Sequence, residues 1–153
     1  VAPIRAVAIS GDHTALALKA AIVRHLRSRG VTAHDLGTST SDPVDYPDTA
    51  ASAAVAVARG EADAAIVIDG AGLGSAIAAN KVPGARAAMC LNETLARYAR
   101  QHNGANVLAL GATLVSTAEA MAIVDTFLDT PMREACYIRR LAKIRDLERR
   151  PRC

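Results

Sequence analysis

Residues 64–75 read Ala64-Ala-Ile-Val-Ile-Asp69-Gly-Ala-Gly-Leu-Gly74-Ser75. An apolar run rich in β-branched residues, closed by an acid and then a glycine-rich turn, predicts a buried strand over Ala64–Asp69. Gly70–Gly74 then forms a loop, and Ser75–Asn80 a short helix. Glycines at alternate positions let backbone N–H groups turn toward a bound anion, and the helix N-terminus beyond adds partial positive charge. The spacing is not that of the dinucleotide fingerprint, and no ribose-binding acid can be assigned to it.

The same pattern repeats outward from this stretch. Arg5–Ser10 (RAVAIS) ends at Gly11 as a first strand, and Thr32–Leu36 is a second. Arg86–Cys90 and Val107–Leu110 supply two more. Helices are expected over Thr14–Arg29, Thr49–Arg59, Thr94–Gln101 and Thr117–Leu128, with a final helix at about 131–148 led by Pro131. Gly37–Asp48 reads as loop. Five apolar strands alternating with helices predict an α/β fold, a parallel sheet covered on both faces. With no linker and no internal repeat, residues 1–153 read as one domain. Ligands of such sheets bind beyond the carboxyl ends of the strands. Attention therefore falls on Ser10–His13, Leu36–Pro47, Asp69–Ser75, Leu91–Thr94 and Gly111–Leu114.

Composition narrows the function classes. The 153 residues are 51% hydrophobic and 22% charged, which suits a globular protein and not a disordered one. Aromatic content of 3% with no tryptophan argues against base-stacking nucleic-acid folds. No apolar run reaches the length of about 20 residues a membrane helix needs, and Val1–Ser10 lacks a signal-peptide layout. Cys90, Cys136 and Cys153 are odd in number, widely spaced and form no CxxC, so free thiols in the cytoplasm are expected, with neither disulfide nor zinc site. The net charge of +3 is small, but Arg139, Arg140, Lys143, Arg145, Arg149, Arg150 and Arg152 crowd the last fifteen positions. They form either a solvated basic face and tail or, in one or two cases, a grip on an anionic substrate; no recognition motif supports nucleic acid.

Several residues could carry chemistry, each with a structural alternative. Asp69 faces the glycine loop and could remove a proton while the loop holds the resulting oxyanion, or it could cap the next helix. Asp12-His13 after the first strand could bind a sugar hydroxyl or phosphate, or cap the helix that follows. His102-Asn103 ends a helix before Gly104: an acid/base histidine, or one favoured by the helix dipole. Asp45-Tyr46-Pro47 could be only a loop with a proline stop. No hydrolase triad and no metal-ligand cluster is visible.

Taken jointly, these segments resemble the type B ribose-5-phosphate isomerases and the galactose-6-phosphate isomerase subunits, from about Ile4 to Ile144. The matching pieces are Gly11-Asp12-His13, Asp45-Tyr46-Pro47, Gly60-Glu-Ala-Asp63 and Gly70-x-Gly-x-Gly74. Ala78-Ala79-Asn80-Lys81, Val82-Pro83-Gly84-x-Arg86, Arg100-Gln-His-Asn103, Ala105-Asn106-Val107 and Ile123-Val124-Asp125-x-Phe127-Leu128 also match. The resemblance implies a Rossmann-like three-layer α/β/α sandwich with strand order 2-1-3-5-4. It also implies aldose–ketose isomerisation of a small sugar phosphate through a cis-enediolate, with no cofactor or metal. The assembly it implies is a homodimer, or dimers paired into a tetramer, with the site at the subunit interface. There His102 and Asn103 come from the other subunit. In that scheme Asp69 is the base, His102 opens the sugar ring and Asp12 assists it. Gly70, Ala71, Gly72 and Gly74 form the anion loop. Tyr46, Ser75 and Asn103 contact hydroxyls, and His13 and Arg140 meet the anionic end.

The departures from the family pattern concern the base and the phosphate grip. Many members carry cysteine at the position of Asp69, followed by Gly-Thr where this chain has Gly70-Ala71; others place a glutamate base where Ser75 stands. Asp69 is then the one carboxylate left in the loop. An ordinary aspartate, with a pKa near 3.9, is a weak base for C–H abstraction unless burial raises it, and loop dipoles act the other way. The family arginine at the place of Thr113 is absent, and the C-terminal arg-his-x-x-arg run reads Cys136-Tyr137-Ile138-Arg139-Arg140, so only Arg140 matches. Charge-assisted contacts contribute about 1.5–3 kcal/mol each, so two losses would weaken phosphate affinity by orders of magnitude. Arg133, at i−7 from Arg140, shares its helix face and could compensate, or could simply be solvated. An isomerase of an unphosphorylated sugar and a non-catalytic or partner-dependent sugar-binding subunit are the alternatives.

Overall fold

The computed structural model describes residues 3–132 and 135–151. Strands and helices alternate: β1 (Ala6–Gly11), α1 (Leu16–Ser28), β2 (Thr32–Asp35), α2 (Tyr46–Ala58), β3 (Ala64–Asp69), α3 (Leu73–Ala79), β4 (Ala87–Met89), α4 (Glu93–Asn103), β5 (Val107–Gly111), α5 (Thr117–Asp129) and α6 (Ala135–Arg149). The strands form one parallel sheet in the order β2-β1-β3-β5-β4, with helices on both faces. This is the three-layer α/β/α architecture and strand order implied by the resemblance.

The two-residue period of the strands feeds two chemically different interiors. On one face Val7, Ile9, Ile66, Ile68, Leu108 and Leu110 meet Ile22 and Leu26 of α1 and Ile123, Val124 and Phe127 of α5. On the other, Ala8, Ala65, Val67, Val107 and Ala109 meet Ala50, Ala53 and Ala54 of α2 and Ala79 of α3. Small side chains on both sides let α2 and α3 lie close against the sheet, because helix spacing follows side-chain size at the contact. Asp69, two residues beyond Val67, emerges on this alanine-lined face.

The sequence expectation for β3 matches the observed strand, and several helix boundaries move. Helix α2 begins at Tyr46 instead of Thr49, because Pro47 sits in its first turn, where the missing N–H has no helical partner to lose. Helix α3 begins at Leu73, since Gly72 at φ +77° turns the chain directly into it. Helix α1 begins two residues late: Thr14 is drawn back into a turn by the Asp12 carboxylate. Pro131 lies outside α6, which is described from Ala135 onward. Edge strand β4 is blunted by Asn80, whose side-chain amide accepts from the Ala87 N–H at 2.8 Å and donates to the Ala87 carbonyl at 2.9 Å.

Two stability predictions follow from this core. Phe127 is fully buried, with the Arg100 guanidinium 5.3 Å from its ring centroid. Phe127→Ala is expected to lower the unfolding free energy by about 3–5 kcal/mol in urea titrations, and Phe127→Leu by clearly less. Burial pushes the Cys90 thiol up to about 11. The unfolded thiol ionises near its ordinary value, about 8.5, so Cys90 contributes stability that is complete below that pH and drains away up to about 11. Between those limits the urea midpoint of the native chain should fall more steeply than that of Cys90→Ala.

Candidate active site

The carboxyl ends of β1, β3 and β5 lie side by side, with Gly11 paired to Ile68 and Asp69 to Gly111. The glycine loop after β3 rests on the end of β5. A Cβ on Gly72 would stand 2.9 Å from the Leu110 carbonyl carbon, and one on Gly111 would stand 2.7 Å from the Ala71 carbonyl oxygen. Thr113 fastens the loop: its N–H and its hydroxyl both donate to the Gly70 carbonyl, at 3.0 and 2.7 Å. Thr113, where the resemblance implies an arginine, is a short side chain spent on its own loop.

Asp69 is only 6% exposed. Its Oδ1 accepts the Gly72 N–H at 2.6 Å. Asp69 therefore does not cap α3, whose N-cap is Gly72 with no side-chain cap. The bond holds one carboxylate oxygen in place and also occupies the Gly72 amide, one of the N–H groups expected to face an anion. The Ser10 and Ser75 hydroxyls lie deeper, at 0% and 1% exposure, with no hydrogen-bond partner among the described residues. Strand alternation puts Ser10, like Ala8, on the face that carries Asp69, and Ser75 shares the buried side of α3 with Ala79. Unpaired buried hydroxyls are costly and call for a partner. Sequence reading assigned Ser75 and missed Ser10, although the alternation of RAVAIS contained the signal.

Three further residues take up defined positions at this end. Asp12 is buried, its Oδ1 accepting both the N–H and the hydroxyl of Thr14. This is a local turn and not a helix cap, since Ala15 is the N-cap of α1. His13 Nδ1 accepts the Val44 N–H at 3.2 Å, which leaves Nε2 as the donor of the neutral ring. The Tyr46 ring lies over Gly74, where a Cβ would come within 2.6 Å of Cε2 and Cζ, so any side chain at 74 would displace the ring from this seat.

His102 and Asn103 are elsewhere. They end α4 beside the amino ends of the strands, where Arg86 donates its N–H to Asn106 Oδ1 and its Nε–H to the Gly104 carbonyl. Arg100 donates to the Ala105 and Thr130 carbonyls. Burial pulls both guanidiniums below their ordinary pKa, with Arg145 adding to the effect on Arg86 and Arg86 to that on Arg100. Residues Val107 to Gly111 of β5 separate this end from Asp69, about 13 Å of strand at about 3.3 Å per residue. Arg140 belongs to the same distant end, its guanidinium 5.9 Å from the Tyr137 ring, and Tyr137 in turn lies against His102. A single chain thus brings together Asp12, His13, Tyr46, Asp69, the glycine loop and Ser75, and separately His102, Asn103 and Arg140. Arg133 lies outside the described residues. Among the described residues there is no cluster of metal-ligating side chains and no helix long and apolar enough to cross a membrane.

Comparison with known proteins agrees with this fold. Residues 7–144 match the family model described as Ribose/Galactose Isomerase. Ribose-5-phosphate isomerase B of Escherichia coli is 42% identical over 144 residues, covering 94% of this chain and 97% of the relative. The ribose-5-phosphate isomerase B structure from Clostridium thermocellum superposes with a TM-score of 0.92 at 45% identity, over 94% of this chain and 97% of that one. The Mycoplasma genitalium ribose-5-phosphate isomerase B, solved with bound ribulose-5-phosphate, gives 0.92 at 38% identity, over 95% and 97%. The chain described here belongs to the ribose/galactose isomerase family.

Proposed function

We propose that this chain is a cofactor-independent aldose–ketose isomerase of a small sugar phosphate, with Asp69 as the base. The observation that carries this reading is the buried Asp69 carboxylate at the end of β3, anchored by one oxygen on Gly72 and set in the glycine loop. The relatives named as sugar-phosphate isomerases support the substrate class.

The reaction needs few groups. The free oxygen of Asp69 takes the proton from C2 of the open-chain aldose. The C–H electron pair forms the C1–C2 double bond, and O1 becomes an oxyanion. Peptide N–H groups of Gly70, Ala71 and Gly74 stabilise that charge where it develops, with the Gly72 amide reserved for the base. The proton then returns to C1, and the hydrogen of the O2 hydroxyl passes to O1, giving the ketose. Tyr46, Ser75 and Asn103 hold hydroxyls, Asp12 assists ring opening, and His13 meets the anionic end through Nε2.

Because His102, Asn103 and Arg140 lie at the opposite end of the sheet from Asp69, the reading requires a second copy to supply them. A homodimer, or a pair of dimers, is the assembly assigned. Cys90 and Cys136 are free thiols, in keeping with the cytoplasm as its compartment. A second reading, an isomerase of an unphosphorylated sugar, is favoured by one specific observation. The loops that follow the strands, 12–15, 36–45, 70–72, 90–92 and 112–116, contain no lysine or arginine, and Thr113 is bonded to Gly70.

Two experiments decide. Asp69→Asn should reduce kcat by roughly a hundredfold to ten-thousandfold while the folded circular-dichroism spectrum persists, the loss expected of a missing general base; near-native turnover would end the assignment. Purified chain incubated in D2O with matched sugars and sugar phosphates should exchange hydrogen at C1 or C2, read by NMR, with the phosphate ester preferred. Preference for the free sugar selects the second reading, and binding without exchange selects a partner-dependent subunit.

A further inference from the structure

We propose that Tyr98 and Tyr137 are positioning residues that clamp the His102 imidazole in the orientation that sugar-ring opening requires. The inference rests on the ring-opening role given to His102 above.

His102 stands on the last turn of α4, and Tyr98 is four residues earlier on the same face. Their rings stack, with centroids 4.8 Å apart and planes 18° from parallel. Tyr137, near the start of α6, reaches the same imidazole at 4.9 Å and 39°. No hydrogen bond holds the His102 ring among the described residues. That is unusual for a histidine expected to move a proton, because a neighbouring carbonyl or carboxylate ordinarily sets its tautomer and plane. Aromatic contact is the orienting force that remains, and it acts at the separation where ring pairs attract.

Tyr137 is itself held by the seating of α6. Leu141, four residues on, places Cδ1 where a Cβ of Gly104 would lie at 2.7 Å, so the glycine after Asn103 makes room for it. Farther along, Glu148 Oε1 accepts the Gly84 N–H at 3.1 Å. On the exposed side the Arg140 guanidinium lies 5.9 Å from the Tyr137 ring centroid. One helix therefore sets the His102 ring and carries the arginine assigned to the anionic end. Proton delivery to a ring oxygen depends on placement to within about an ångström, so loosening the ring should be felt in ring opening first.

The test compares two substrates that differ in whether a ring exists. A five-carbon aldose 5-phosphate closes through its C4 hydroxyl and must be opened; a four-carbon aldose 4-phosphate has that oxygen esterified and stays open. Tyr137→Leu and Tyr98→Leu should each lower the ratio of kcat on the ring-forming substrate to kcat on the open one, by roughly tenfold to a hundredfold. Tyr137→Phe and Tyr98→Phe, which keep the ring, should restore the ratio. An equal loss on both substrates would overturn the clamp, since a merely structural defect strikes both alike. His102→Gln separates the two ideas: if it leaves the ratio unchanged, ring opening by His102 fails, whereas a fall with His102→Gln but not with the leucine variants overturns the clamp alone. A readout without substrate completes the test. The His102 imidazole protons should resonate upfield from ring-current shielding and move downfield in the leucine variants; an unmoved resonance overturns the proposal.

Discussion

The bond from the Gly72 amide to the Asp69 carboxylate organises the end of the sheet that carries the glycine loop. A carboxylate at the end of a buried strand would ordinarily seek water or a cation. Here a peptide N–H three residues later takes one oxygen. That is possible because Gly72 adopts φ +77° and because nothing but hydrogen fits between it and the end of β5. The loop bends back on its own aspartate, and Thr113 fixes the bend by donating twice to the Gly70 carbonyl. The same geometry fixes one oxygen of Asp69, leaves the other unassigned, and removes one amide from the set that could face a substrate oxyanion.

The alanine-lined face of the sheet makes this arrangement possible. With Ala8, Ala65 and Ala109 beneath and Ala50, Ala53, Ala54 and Ala79 above, α2 and α3 settle low on the strands. Tyr46 is then carried over Gly74, and Ser75 is buried beside the strand ends with Ser10 below. The opposite face, filled by Phe127 and branched aliphatic residues, supplies the bulk of the apolar core and no group of the site. One side of the sheet gives stability and the other gives access for chemistry.

Much of this was legible in the residues. The strand at Ala64–Asp69 announces itself by β-branching and by the acid that ends it, and the parallel sheet follows from the alternation of strands and helices. The motifs Asp12-His13, Gly70-x-Gly-x-Gly74 and Arg100-Gln-His-Asn103 indicate which segments matter. Boundaries were less legible wherever a residue has two structural uses. Pro47 looks like a stop and is a first-turn residue of α2. Thr14 looks like the start of α1 and is held back by Asp12. Asp69 could be the cap of the next helix until its Gly72 partner is seen, and Ser10 passes for an ordinary strand residue because alternation gives its face but not the missing partner of its hydroxyl.

The sequence by itself determined the strand and helix types and the α/β class, because these depend on local periodicity and residue type, and it supplied the candidates for chemistry. Only the tertiary structure decided which of those residues meet. Asp69 and His102 are 33 positions apart in a chain whose strands all run the same way. Every helix must therefore return the chain to the far end of the sheet before the next strand begins. A residue at the end of β3 and one at the end of α4 are thereby sent to opposite ends of the sheet. Equally, the contact of Tyr98 and Tyr137 with one imidazole required α6 to fold back on α4, where the packing of Leu141 over Gly104 and the bond from the Gly84 N–H to Glu148 hold it.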